Sequence, residues 1–122
     1  MRNFKLNGLA CRTWLSLALA GMHFPVWSVD ADAAERLVKD NKCTKCHDVE
    51  RKKDAPAYRD IAAKYRGETD AEKKLAHHVT SGEKVKFADG HEEKHKKVKS
   101  DDPSAVPNLV GWILTLQGGS KY

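Results

Sequence analysis

Methionine is almost missing from this 122-residue chain: Met1 and Met22 are the only two, and none follows in the remaining hundred residues. Cysteine is nearly as scarce, with three in all and no second pair, which removes a four-cysteine zinc site. Aromatic residues make up 7%, a thin supply of core material. Long apolar runs are lacking too. The longest, Trp14 to Met22, has nine residues, against about 20 for a membrane-spanning helix. No stretch alternates apolar and polar residues over the length of a strand, so the chain reads as all-α. Its length suits one small domain and is too short for two.

The first 28 residues have the form of a secretory signal. Arg2, Lys5 and Arg12 supply a positive start, the nine-residue apolar run follows, and small residues and turn formers close the segment. Val26 and Ser28 occupy the two positions where small residues are wanted, so cleavage is expected after Ser28, with Ala31 and Ala33 as alternatives. Cys11 precedes the apolar run and is not placed for lipid attachment. Residues 29–122 then form the single mature domain, exported and without a membrane anchor. Cleavage takes three positive charges with it and turns a net charge of +5 into +2, so a nucleic-acid partner is not expected. Both methionines and four of nine aromatics also go, and two cysteines stay, Cys43 and Cys46. A domain of that size and composition needs a disulfide, a metal or a cofactor as part of its core.

The remaining cysteines lie in Cys43-Thr44-Lys45-Cys46-His47. Cys-x-x-Cys followed directly by His is the attachment sequence of c-type haem. Two thiols three residues apart on a helical turn reach the two vinyl groups, and the next residue aims an imidazole at the iron from the same turn. A thiol–disulfide redox centre has no need of the following His and sits after a strand, which is missing here. A disulfide between residues this close would constrain only a tiny loop.

Helices flank the motif. Asp30 or Asp32 can cap a helix with Ala34, Leu37 and Val38 on one face. A second starts at Pro56 with Tyr58, Ile61, Ala62 and Tyr65 inward and ends at Gly67. Thr69 and Glu72 have capping-box spacing for a third, with Leu75 and Val79 inward and Gly82 as its stop. The last spans 104–117, with Pro107 in its first turn and Leu109, Val110, Ile113, Leu114 and Leu116 along it, closed by Gly118-Gly119.

With these residues in place, the chain resembles the class I, single-haem cytochromes c of bacteria over roughly residues 31–117. The resemblance rests on the Cys43–His47 motif, on Ala55-Pro56-Ala57-Tyr58-Arg59-Asp60-Ile61, on the helix from Leu75 to Gly82, and on Leu109-Val110-Gly111-Trp112-Ile113-Leu114. It implies about four helices wrapped around one covalent haem c, with its iron held by His47. It also implies that the Pro56 carbonyl accepts a hydrogen bond from that ring, that Gly111 lets the first and last helices cross closely, and that Trp112 packs near a haem edge.

The family's usual second iron ligand is a methionine in the loop before the last helix. Residues 84–102 contain none, but carry His91 and His95. The expected iron is therefore bis-histidine, with His95, three residues before Val98, preferred over His91. His77 and His78 lie on the third helix, where surface or capping roles are commoner. An iron left open on that face would bind a small molecule instead. Imidazole donates more strongly than thioether, so the reduction potential should fall below that of methionine-ligated relatives. Residues 42–53 and 84–99 each carry a net charge of +3, a positive collar suited to acidic patches on larger redox proteins that give and take the electron. No residue is cast as acid, base or nucleophile. The expected protein is a periplasmic, monomeric one-electron carrier and not an enzyme. The alternatives are a small-ligand-sensing haem protein and a haem-bearing subunit of an oxidoreductase.

Overall fold

The structure, a computed structural model, describes residues 28–116. The proposed signal, up to residue 27, and the Gly118-Gly119 stop lie outside the described residues. Among the described residues four helices run in order, α1 (Ala31–Asp40), α2 (Tyr58–Lys64), α3 (Ala71–Ser81) and α4 (Ala105–Thr115). A single 3-10 turn, Cys43–Lys45, sits between the first two.

Helix α1 begins where expected, the Asp30 carboxylate accepting the Ala33 N–H at 2.9 Å. Its buried side, Ala34 and Val38, packs with α4, whose Leu109, Val110, Trp112 and Ile113 are all buried. A side chain at Gly111 would come within 3.1 Å of Val29, so glycine permits the close approach there. Asn108 locks the same crossing: it accepts the Asp30 N–H and donates to the Asp30 carbonyl, both at 2.8 Å. Asn41 does likewise at the other end of α1. Its side chain donates to the Leu37 and Lys99 carbonyls and accepts the Lys99 N–H at 2.8 Å. Pro107 falls in the first turn of α4, where its missing N–H has no partner to lose.

Two expectations need correction. Helix α3 is capped at Asp70, one residue later than the Thr69 capping box required, and no side chain caps it. The acids of this turn are engaged elsewhere, since Lys74 pairs with Glu68 at 2.7 Å and with Asp70 at 3.1 Å. The expected helical class holds, but the expected absence of any strand does not. Residues Lys84–Lys86 (β1) and Glu92–Lys94 (β2) form an antiparallel hairpin in the register Lys84–Lys94, Val85–Glu93, Lys86–Glu92. Three-residue strands are too short to show a readable alternation. The hairpin closes through Phe87 N–H to the His91 carbonyl at 2.9 Å, with Gly90 at φ 92°.

Candidate functional site

The Cys43–His47 segment is one tight turn, with the Cys46 and His47 N–H groups both donating to the Cys43 carbonyl at 3.2 and 3.0 Å. Lys42 enters it at φ 58°, in the left-handed region. Beyond it, Ala55 N–H donates to the Cys46 carbonyl, and Tyr58 and Arg59 N–H to the carbonyls of Asp48 and Val49, tying the turn to the start of α2. Both thiols are half-buried. Burial raises the Cys43 pKa, while its own backbone hydrogen bond and the Lys96 ammonium pull the other way.

His47 is fixed by two contacts. Its Nδ1 is hydrogen-bonded to the Pro56 carbonyl at 2.7 Å, which leaves Nε2 as the nitrogen free to bind a metal. Its ring stacks on Tyr58 at 5.1 Å, and Tyr58 meets Trp112 edge-on at 5.5 Å. Burial lowers the His47 pKa, the Pro56 carbonyl opposing, so the ring is neutral and its lone pair available at neutral pH. Tyr58 is shifted strongly upward, chiefly by burial, and stays a neutral phenol.

In front of His47 opens a largely apolar cavity of about 680 Å³, lined among others by Pro56, Ile61, Leu75, Val85, Phe87 and His95. The His95 ring lies 6.2 Å from the His47 ring, centroid to centroid, their planes 59° apart. Burial lowers the His95 pKa as well, helped by His78 and His47. His95 Nδ1 is buried without a hydrogen-bond partner, the Lys96 backbone lying near but outside bonding geometry. The chain around this residue is firmly held: His95 N–H donates to the Glu83 carbonyl and Val98 N–H to the Val79 carbonyl, each at 2.8 Å.

His91 lies elsewhere, at the hairpin tip. Its ring stacks on Phe87, its Nδ1 meets Asp89, and its Nε2 lies 3.5 Å from Glu93. His77 is turned outward, its side chain 70% exposed. Trp112 does not border the large cavity. It lines a smaller one of about 180 Å³, together with His47, Tyr58 and Val38. His78, read from the sequence as a surface or capping residue, lines the large cavity instead and packs against the His95 ring at 4.3 Å. The only signal for it was its place at the edge of the Leu75/Val79 stripe.

The donor set suits an iron porphyrin. Two neutral imidazoles, 6.2 Å apart, line one largely apolar space, with a pair of thiols on the adjoining turn. Among the described residues no helix is long and apolar enough to cross a membrane.

Comparison with known proteins gives a consistent picture. The family model for cytochrome c matches residues 31–117. Cytochrome c-552 of Nitrosomonas europaea is 36% identical over 104 residues, covering 85% of this chain and 96% of that protein. Cytochrome c-551 of Pseudomonas aeruginosa is 39% identical over 85 residues, 70% of this chain and 78% of that one. Among solved structures, the class 1 cytochrome MtoD of Sideroxydans lithotrophicus ES-1 superposes with a TM-score of 0.71 at 56% identity, covering 75% of this chain and all of that one. The Nitrosomonas europaea cytochrome c552 structure gives 0.55 at 38% identity over 71% of this chain.

Proposed function

The chain belongs to the class I cytochromes c and carries one covalently attached haem c, and from that premise we propose that it is a periplasmic one-electron carrier whose iron is held by histidine on both faces. In this reading Cys43 and Cys46 form the thioethers, His47 is the proximal ligand oriented by Pro56, and His95 is the distal ligand. The haem supplies a one-electron iron couple and nothing more is asked of the protein than to bind, orient and shield it. Trp112 supports the site from the His47 side, through Tyr58.

One observation carries this reading: the 6.2 Å separation of the His47 and His95 rings. Metal–imidazole bonds of about 2 Å on each side of one metal put two ring centroids about 6 Å apart. His91, engaged at the hairpin tip by Asp89 and Glu93, is the less favoured candidate. Two ligands set by packed backbone change little between oxidation states, which suits transfer through an exposed edge rather than binding of a substrate.

The collar has support of its own. Lys96, from the second basic run, lies close enough to act on the Cys43 thiol of the first; the cavity lining itself is mixed, with Lys64 and Lys86 beside Asp54, Asp60 and Glu83, so the positive rim rests on the two runs. Such a rim favours a partner with an acidic face and a salt-dependent encounter. Export implies a mature protein beginning at Val29, which sequencing of the N-terminus from a periplasmic extract checks.

The ligand test is spectroscopic. Matured with haem, the protein should be low-spin and indifferent to carbon monoxide. His95→Ala should turn the ferric iron high-spin and open the ferrous iron to carbon monoxide, while His91→Ala should leave both unchanged. A wild-type protein that binds carbon monoxide as isolated would favour the ligand-sensing alternative.

A further inference from the structure

The two facing imidazoles are oriented by different means. The His47 ring is pinned by a 2.7 Å hydrogen bond to Pro56. The His95 ring has no bond of that quality: its buried Nδ1 meets no partner in full hydrogen-bond geometry, and only the Lys96 backbone acts on it. A ring on a single bond to its own backbone is free to rotate unless something packs against it. What packs against it is His78, at 4.3 Å and tilted 46°. His78 is itself anchored, since its Nδ1 is hydrogen-bonded to Glu83 Oε1 at 2.6 Å. Glu83 also offers its backbone carbonyl to the His95 N–H at 2.8 Å. One residue thus holds both the backbone of His95 and the ring that abuts it.

We propose that His78, braced by Glu83, is a positioning residue that sets the plane of the distal imidazole, keeping it steeply crossed with the His47 plane at the observed 59°. This rests on His95 being the second ligand. The angle between axial imidazole planes has an electronic consequence. Parallel planes act on the same iron d orbital and separate the two π-type orbitals in energy. Crossed planes act on both and leave them close together. In the ferric state that spacing governs the spread of the g values, the largest rising as the planes approach perpendicular. Neighbours of a ligand thus tune the metal without touching it.

The test is low-temperature electron paramagnetic resonance of the ferric holoprotein, comparing wild type with His78→Ala, His78→Phe and Glu83→Ala. His78→Ala should stay low-spin while its largest g value shifts and the feature broadens, as the His95 ring samples a range of angles. His78→Phe, which restores a ring of similar bulk, should bring the signal back toward wild type. Glu83→Ala, at an exposed carboxylate, should move it in the sense of His78→Ala but by less. An unchanged largest g value in His78→Ala and Glu83→Ala would overturn the proposal. High-spin iron in His78→Ala, with low-spin iron in His95→Ala, would overturn it by making His78 the ligand. Failure of the underlying reading is separately visible, as a wild-type spectrum that is already high-spin or as His95→Ala staying low-spin while His91→Ala turns high-spin.

Discussion

The two faces of the haem cavity are built on different principles. The His47 face is local: motif, turn and Pro56 lie within 14 residues, joined by consecutive backbone hydrogen bonds. The His95 face is assembled from the end of α3, a small hairpin and the strand-like run into α4, and its imidazole is held by a neighbour's ring. An isolated two-stranded hairpin is marginal in water, so this face depends on contacts remote in sequence. The attachment turn is rigid through its own backbone hydrogen bonds, whereas in the proposed bis-histidine reading the opposite ligand is delivered by a segment held from a distance. The stretch carrying His91 and His95 contains no methionine.

The comparison breaks most completely if the local face is removed. Cys43→Ala with Cys46→Ala should abolish covalent haem, and with it much of the stability, because the cavity of about 680 Å³ beside a small core loses the group that fills it. A pyridine haemochrome assay and far-ultraviolet circular dichroism check both parts. A change on the other face should leave attachment intact and alter only the iron's electronic character. His95→Met should stay low-spin and raise the potential, since thioether stabilises ferric iron less than imidazole does. The rise falls within the roughly 0.8 V that axial ligands span and is read by redox titration.

The same contrast explains what the sequence made legible. The haem motif, the Asp30 cap and the inward faces of α1 and α4 follow from spacing, the role of Gly111 follows from the family resemblance, and each appears in the structure. The hairpin was hidden because three-residue strands leave no periodicity. The His78–His95 contact joins residues 17 apart through tertiary packing, and helical periodicity could only put His78 at the rim of a stripe. Asn41 and Asn108 were invisible for a similar reason. An asparagine that bridges backbone groups 58 or 78 residues away has the same local signature as one facing solvent.

Asn41 gives a way to sharpen the contrast, because it ties α1 to the segment that follows His95. Asn41→Ala removes both bonds to Lys99, a loss of about 1–3 kcal/mol at the usual worth of about 0.5–1.5 kcal/mol each. It should also let carbon monoxide bind slowly to the ferrous protein, which the wild type resists, because the His95 segment opens more often. Asp48→Ala removes two bonds as well, those from the Glu50 and Arg51 N–H groups. Those lie within the His47 loop, so carbon monoxide binding should not change. Equal rates in the two variants would remove the distinction between a local and an assembled face.

The smallest effects come from the two helix ends that meet the site. Helix α1 leads into the motif through Lys42 at φ 58°, and α3 leads into the hairpin through Gly82 at φ 70°. Both positions are left-handed, where glycine is the usual occupant and other residues are strained by about 1 kcal/mol. A Cβ at Gly82 would also fall 2.6 Å from Lys97 Cε, a flexible side-chain carbon that can move aside. Gly82→Ala should therefore destabilise by about 1–2 kcal/mol, mostly through the backbone. Lys42→Gly should do the reverse and stabilise by up to about 1 kcal/mol, less the extra freedom glycine gains when unfolded. Guanidinium titration of the two holoproteins measures both. If the motif's entry turn is as rigid as its hydrogen bonds imply, the relief at Lys42 should appear in full, with no change in the haem spectrum.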